Sequence, residues 1–294
     1  MALVLIVGSG LGWLIHRAHV QRDAVAAIQR VGGHVGYSWQ RAQGTWSSPP
    51  PKPPGPDRVR RTLGPDFLDT ATYVFLQGEQ CDDESLRAAC RLPWLEELSV
   101  VHTGATDASA EDIRHLTNLR ALDLRLNRIT PRPLRHIAGM SELRELKLAM
   151  KLSPVPLRDQ DMAFLKRLTK LESLMLPSAD LSDGWLVYIE DLTSLKSLQL
   201  YDMAITTDGL DRLKGLSNLT TLSLHGTRLT SVESLRSLTK ITYLCLAYTP
   251  VDDSVLATLR TWPQLRDLDM RKTKITDAGV AEFIRENPQV KVTR

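Results

Sequence analysis

Apolar residues in this chain recur in a pattern that is itself repeated. Leu195-Lys-Ser-Leu198-Gln-Leu200 returns as Leu219-Thr-Thr-Leu222-Ser-Leu224, 24 residues later. Inside each copy the apolar residues alternate with polar ones, the period of a strand with one face buried and one open. The central apolar position runs through Val74, Leu98, Leu122, Leu146, Leu174, Leu198, Leu222, Leu244, Leu268 and Val292, at steps of 24, 24, 24, 28, 24, 24, 22, 24 and 24. A second inward residue stands two positions on, from Leu76 and Val100 to Leu246 and Met270. The intervening stretch repeats too: Ile205-Thr-Thr-Asp208-Gly209-Leu210 has a near copy in Ile275-Thr-Asp277-Ala-Gly279-Val280. Parallel strands need crossover connections, and a short helix in each repeat supplies one. The Asp or Thr before each short apolar run is expected to cap that helix, so Asp82, Asp83, Asp252 and Asp253 read as caps or turn residues rather than acid–base pairs. The predicted fold is an α/β solenoid of about ten turns, with a parallel sheet on the concave side and short helices on the convex side.

A different pattern occupies the first residues. Ala2 to Ile15 carries no charge. It is shorter than the roughly 20 residues of an ideal membrane span, and lacks the basic start and small-residue cleavage site of a signal peptide. The expectation is a hydrophobic helix serving as a single-pass anchor over 1–20, with Arg17 reaching the interface. Arg17, Arg22 and Arg30 then place the bulk of the chain in the cytoplasm, unless Met1 is a late start and a basic segment precedes it. Gly8 and Gly12 form a Gly-x-x-x-Gly, a pattern through which anchors self-associate, though glycine abounds in this run. Residues 21–46 read as a juxtamembrane helix, with Ala24, Ala27, Ile28 and Val31 on one face and a stop at Gly32-Gly33, followed by a short strand. Residues 47–66 form a linker whose core, Ser47-Ser-Pro-Pro-Pro-Lys-Pro-Pro-Gly-Pro56, favours the extended polyproline II form. Such runs serve as spacers or as ligands of aromatic grooves; between an anchor and a solenoid, a stalk is the expectation. The repeats fill 67–294.

The Leu-x-x-Leu-x-Leu-x-x-(Thr/Asn)-x-Ile-Thr-Asp-x-Gly-Leu pattern resembles leucine-rich repeats of the ribonuclease-inhibitor-like, cysteine-containing type. The resemblance covers about residues 67–294 and implies a horseshoe that binds protein partners. The whole layout is similar to membrane-anchored leucine-rich-repeat proteins of planctomycete-type bacteria. Such repeats also occur in F-box substrate receptors, but no F-box-like domain stands ahead of these repeats, so that role is not carried over.

Composition narrows the chemistry. With 37 basic and 34 acidic residues interspersed, the net charge of +3 gives no basic stripe of the nucleic-acid-binding kind. Cys81, Cys90 and Cys245 form neither a metal spacing nor a disulfide framework. The histidines lack metal-ligand spacing, and no nucleophile elbow or phosphate loop occurs, so no catalytic residue, metal or cofactor is expected. Outward strand positions define the binding face. On it Tyr201, His225 and Tyr243, with nearby Tyr248, gather on neighbouring turns, flanked by Gln199 and Arg271. Tyrosine is enriched among residues that dominate interface energy, though the same rings read equally as ordinary aromatics covering a sheet. The expected function is a membrane-tethered, non-enzymatic module that binds a protein on its concave face. The alternative is a scaffolding element of the envelope that self-associates.

Overall fold

The computed structural model describes residues 2–42, 45–46, 58, 68–149, 152–177 and 181–294; the proline-rich run 47–56 lies outside them. The chain opens with α1 (Ala2–Arg30), β1 (His34–Tyr37) and a small antiparallel ribbon of β2 (Arg41–Ala42) and β3 (Thr45–Trp46). The repeats then lay down β4 (Ala71–Gly78), β5 (Glu97–Thr103), β6 (Ala121–Asp123), β7 (Glu145–Lys147), β8 (Ser173–Pro177), β9 (Ser197–Tyr201), β10 (Thr221–Ser223), β11 (Tyr243–Cys245), β12 (Asp267–Asp269) and β13 (Lys291–Thr293). These pair in chain order and in parallel, and β1 adds antiparallel to the outer edge of β4, completing an 11-stranded sheet. The register follows the leucine frame: Val74 faces Leu98, Leu98 faces Leu122, and so on to Leu268 facing Val292.

The frame is held from inside and at its edges. Leu146, Leu174, Leu198, Leu222 and Leu244 are fully buried, and one apolar cluster runs unbroken from Ala24 to Val290. Each such side chain contributes about 1.5–3 kcal/mol of burial. Just ahead of the strands a backbone ladder ties each repeat to the one before it, including Arg144 N–H to Arg120 O at 2.8 Å and Thr242 N–H to Thr220 O at 2.8 Å.

The other side of each repeat is a short helical segment, α in α2 (Asp83–Cys90), α3 (Asp107–Ala110), α4 (Val255–Leu259) and α5 (Asp277–Glu286), and 3₁₀ in most of the rest. Asp82 caps α2 as expected, accepting from the Glu84 and Ser85 N–H groups. Asp83 does something else. Its carboxylate reaches into the next repeat and accepts from the N–H and hydroxyl of Thr106, both at 2.8 Å, and from the Ser109 hydroxyl. The same clamp recurs from Asp107 to Thr130, Asp159 to Ser182, Asp183 to Thr206 and Asp253 to Thr276. These aspartates therefore bolt neighbouring repeats together rather than cap their own helices.

The amino terminus corrects the anchor expectation. No helix among the described residues is long and apolar enough to cross a membrane, so the single-pass assignment fails. α1 continues through His16, Arg17, His19, Arg22 and Asp23, and its later half is packed against protein. Ala24, Val25 and Ile28 belong to the same apolar cluster as the repeats, and α1 packs on α2 and β1. Buried Gln21 joins the start of the first repeat, donating to Asp69 O at 2.8 Å and accepting from Ala71 N–H at 3.1 Å. Arg17 is no interfacial snorkel either: it donates to Thr70 Oγ1 at 2.6 Å, with its guanidinium 5.7 Å from the Trp13 ring and 5.8 Å from that of Trp94. Gly33 lets the chain turn, since a Cβ there would sit 2.7 Å from Ile28 Cγ2 and 2.8 Å from Leu76 Cδ2. The first strand of a solenoid has one apolar side without a neighbouring repeat, and capping elements cover such ends; α1 and β1 do that here.

Candidate functional site

Outward residues of β4–β13 form one continuous face on the side of the sheet away from the helices. Towards its carboxyl-terminal half, the expected aromatics meet. Tyr201, His225 and Tyr248 make a row across the strands, with ring centroids 6.1 Å apart for the first pair and 5.0 Å for the second, both tilted. The Tyr201 hydroxyl donates to Gln199 Oε1 at 2.6 Å, and Gln199 Nε2 donates to Ser197 Oγ at 3.2 Å, so Gln199 fixes the ring that it neighbours. Tyr243 is 37% exposed and Tyr248 56%. Burial raises the Tyr201 and Tyr243 hydroxyl pKa values, which keeps both neutral. Arg271 lies at the edge of the group, its guanidinium held by Asp269 at 2.7 Å. That hydrogen bond lowers the Asp269 pKa, so the pair stays ionised and mutually neutralised.

Beneath the aromatics the face is closed. Cys245 and Ser223 occupy outward strand positions yet are 4% and 1% exposed. Burial raises the Cys245 pKa, which favours the protonated thiol. Cys90, inside the array, is pushed up to about 12 by burial. Contact with Ser223 offsets part of the upward shift that burial gives the Tyr201 hydroxyl and the Cys245 thiol. His225 Nδ1 is buried without a hydrogen bond, although Asp202 Oδ1 stands 3.3 Å away.

Backbone geometry sets the row at the strand ends. The residue four beyond the central leucine turns left-handed in repeat after repeat: His102 (φ 53°), Leu126 (59°), Asp202 (54°), Tyr248 (59°) and Lys272 (57°), with Gly78 and Gly226 in equivalent places. This turn aims a backbone N–H at the next repeat, as Tyr248 N–H to Arg271 O at 2.8 Å and Asp202 N–H to His225 O at 2.9 Å. For a residue other than Gly, this conformation costs about 1–2 kcal/mol.

A second feature was not singled out by sequence reasoning. On β4–β7 the face sinks into a depression of about 370 Å³, lined among others by Tyr73, Phe75, Glu97, Asp123, Arg125, Glu145 and Lys147. Its charges are matched on their own strands: Arg125 to Asp123 at 2.7 Å and Lys147 to Glu145 at 2.5 Å. The signal was present, since each pair stands two residues apart on one face. Among the described residues no group of three or more His, Cys, Asp or Glu is arranged to hold a metal ion.

The sequence matches a Leucine Rich repeat family model over residues 115–132 and 263–283. No curated protein matches the chain. Among solved structures it is similar to internalin C2 of Listeria monocytogenes, at 21% identity and a TM-score of 0.52, over 72% of this chain and 83% of that one. An internalin F of the same organism aligns at 17% identity over 80% and 92% of the two chains, with a TM-score of 0.42. The plant peptide hormone receptor RGFR1 in complex with RGF2 aligns at 17% identity over 64% of this chain and 30% of that one, with a TM-score of 0.46. Only the first carries weight, and it speaks for the fold alone. Together with the repeat frame, these findings make the chain a leucine-rich-repeat protein.

Proposed function

We propose that this chain is a protein-interaction module, not an enzyme, and that it holds a protein ligand against the open face of its sheet. The observation that carries this is the row Tyr201–His225–Tyr248, with half-exposed Tyr243 beside it, on strands β8–β11 whose outward positions hold no acid, lysine or arginine. Rigid tyrosines among small hydroxyl residues make recognition surfaces of low entropic cost. Gln199 and Arg271 border the contact, and the depression on β4–β7 extends it. Two features speak against catalysis: the cysteine on the face is buried, and Asp123, Glu145 and Asp269 are engaged by cations two residues along their own strands.

The test compares the wild type with a Tyr201→Ala/Tyr243→Ala variant, using photo-crosslinking from the open face followed by identification of the captured protein. Hot-spot tyrosines are each worth about 2 kcal/mol or more, so the variant should lose capture by well over tenfold while its thermal transition stays in place. Capture that survives the double substitution would sink the reading.

A further inference from the structure

We propose that the aromatic row on β9–β11 receives the proline-rich run Ser47–Pro56 of a second copy of this chain, an inference that rests on the open face being the binding surface. The stalk role expected for that run depended on an anchor, and the anchor does not stand. Three features of the face match a proline-rich ligand.

The first is hydrogen-bonding polarity. Between the ion pairs of β6–β7 and that of β12, the outward positions of β8–β11 hold no acid, lysine or arginine. A proline run offers no N–H, only apolar rings and carbonyl acceptors, so it suits an uncharged face with aromatic walls. Such grooves are the usual receptors of polyproline II segments.

The second is spacing. One polyproline II turn is three residues, about 9.3 Å, and two strand spacings are about 9.6 Å. Tyr201 on β9 and Tyr248 at the end of β11 stand two strands apart, with His225 between them. In the run, Pro50, Pro53 and Pro56 recur every third residue. Prolines one turn of the ligand apart therefore meet the two ends of the row, Tyr201 and Tyr248.

The third is charge. Lys52 is the only ionised residue of the run. Asp202, whose side chain is 57% exposed, stands beside His225 at the margin of the row.

Reach favours a second copy over the chain's own run. In the pairing order β9 to β11 lie five to seven strands from β4, about 24–34 Å away. Going out and back consumes about 68 Å, which the 22 steps from Trp46 to Leu68 span only when fully stretched as polyproline II. Between two copies no such extension is needed. Reciprocal exchange makes a closed two-fold pair.

The experiment measures the mass of the full chain in solution across concentration, for the wild type, a Pro50→Ala/Pro53→Ala/Pro56→Ala variant and a Tyr201→Ala/Tyr248→Gly variant. The expected result is a wild type that doubles in mass. Either variant alone should need about tenfold or more higher concentration, and an equimolar mixture should recover association, because the intact face of one copy meets the intact run of the other. A wild type that stays monomeric, association indifferent to both variants, or a mixture no better than its parts overturns the proposal. A synthetic peptide of residues 45–58, titrated onto the proline variant, separates the two readings. If the peptide does not bind while partner capture still depends on Tyr201 and Tyr243, this inference falls and the interaction module stands. If the peptide binds the proline variant but is blocked on a monomeric wild type, the chain's own run occupies the face, and the second copy is refuted.

Discussion

The left-handed turn at the end of each strand makes a quantitative prediction that separates stability from binding. Lys272 and Tyr248 occupy the same place in neighbouring repeats, at φ 57° and 59°. A glycine there removes about 1–2 kcal/mol of conformational cost and adds about 0.5–1 kcal/mol of unfolded-chain entropy. Lys272 is exposed and its side chain packs on little, so Lys272→Gly should stabilise the chain by about 0.5–1 kcal/mol. Tyr248→Gly gains the same relief but gives up the tilted ring contact with His225 at 5.0 Å, and such pairs are worth about 0.5–1.5 kcal/mol. Its net change should be near zero, while ligand capture through the open face drops. The assay is urea denaturation of both variants with a common slope, read as midpoint shifts. If Lys272→Gly destabilises by about 1 kcal/mol or more, the turn is not a strained conformation, and the account of these turns collapses.

Two further predictions concern the array. Leu222→Asp places an unpaired carboxylate in a fully buried position between Leu198 and Leu244. The lost packing and the stranded charge together cost about 5 kcal/mol or more, so circular dichroism should show a disrupted fold; a transition within a few degrees of wild type would refute the packing described. Acid should loosen the clamps. The Asp269 pKa is lowered by the Arg271 hydrogen bond; at Asp83 burial pulls upward, but hydrogen bonds from Ser109 and Thr106 outweigh it and the net shift is downward. Depressed carboxylates stabilise the fold above their unfolded pKa of about 3.9, and that contribution is lost as pH falls through the folded values. Urea midpoints should therefore decline below about pH 4, and Asp83→Asn, weaker at pH 6, should decline less; parallel curves for the two proteins would exclude the clamp as a source.

Much of the fold was legible because a strand slipped by one residue exchanges every inward leucine for a polar neighbour. The positions from Val74 to Val292 left a single register, and the structure adopts it. The aspartates ahead of the short helices were legible as turn chemistry, but the reach of Asp83, Asp107, Asp159, Asp183 and Asp253 into the following repeat was not. A carboxylate that caps and one that clamps stand next to one another in sequence, as Asp82 and Asp83 show. The left-handed turns were hidden for a plainer reason: only Gly78 and Gly226 signal them, while His102, Leu126, Asp202, Tyr248 and Lys272 take the conformation because a backbone bond of the array demands it. The face of Ala24 and Ile28 was seen, but not its partner. The uncharged run before it suggested lipid, whereas that face itself packs on α2 and β1. Tyr201, His225 and Tyr248 could be placed on one face by counting, whereas their ring contacts depend on tilts that only the folded backbone fixes.

The aspartate clamps carry a mechanical consequence. Where Pro131 takes the clamp position there is no side-chain acceptor, and the following repeat is the one lengthened to 28 residues. At Thr207 a hydroxyl stands in, accepting from the Thr230 N–H at 2.9 Å. The array is thus a spring of unequal coils, bolted tightly at Asp83, Asp107, Asp159, Asp183 and Asp253 and slack between. Pulled from its two ends, it should part first at the Pro131 seam, where the coils on either side come away as blocks and a tug on a bound partner turns into local extension.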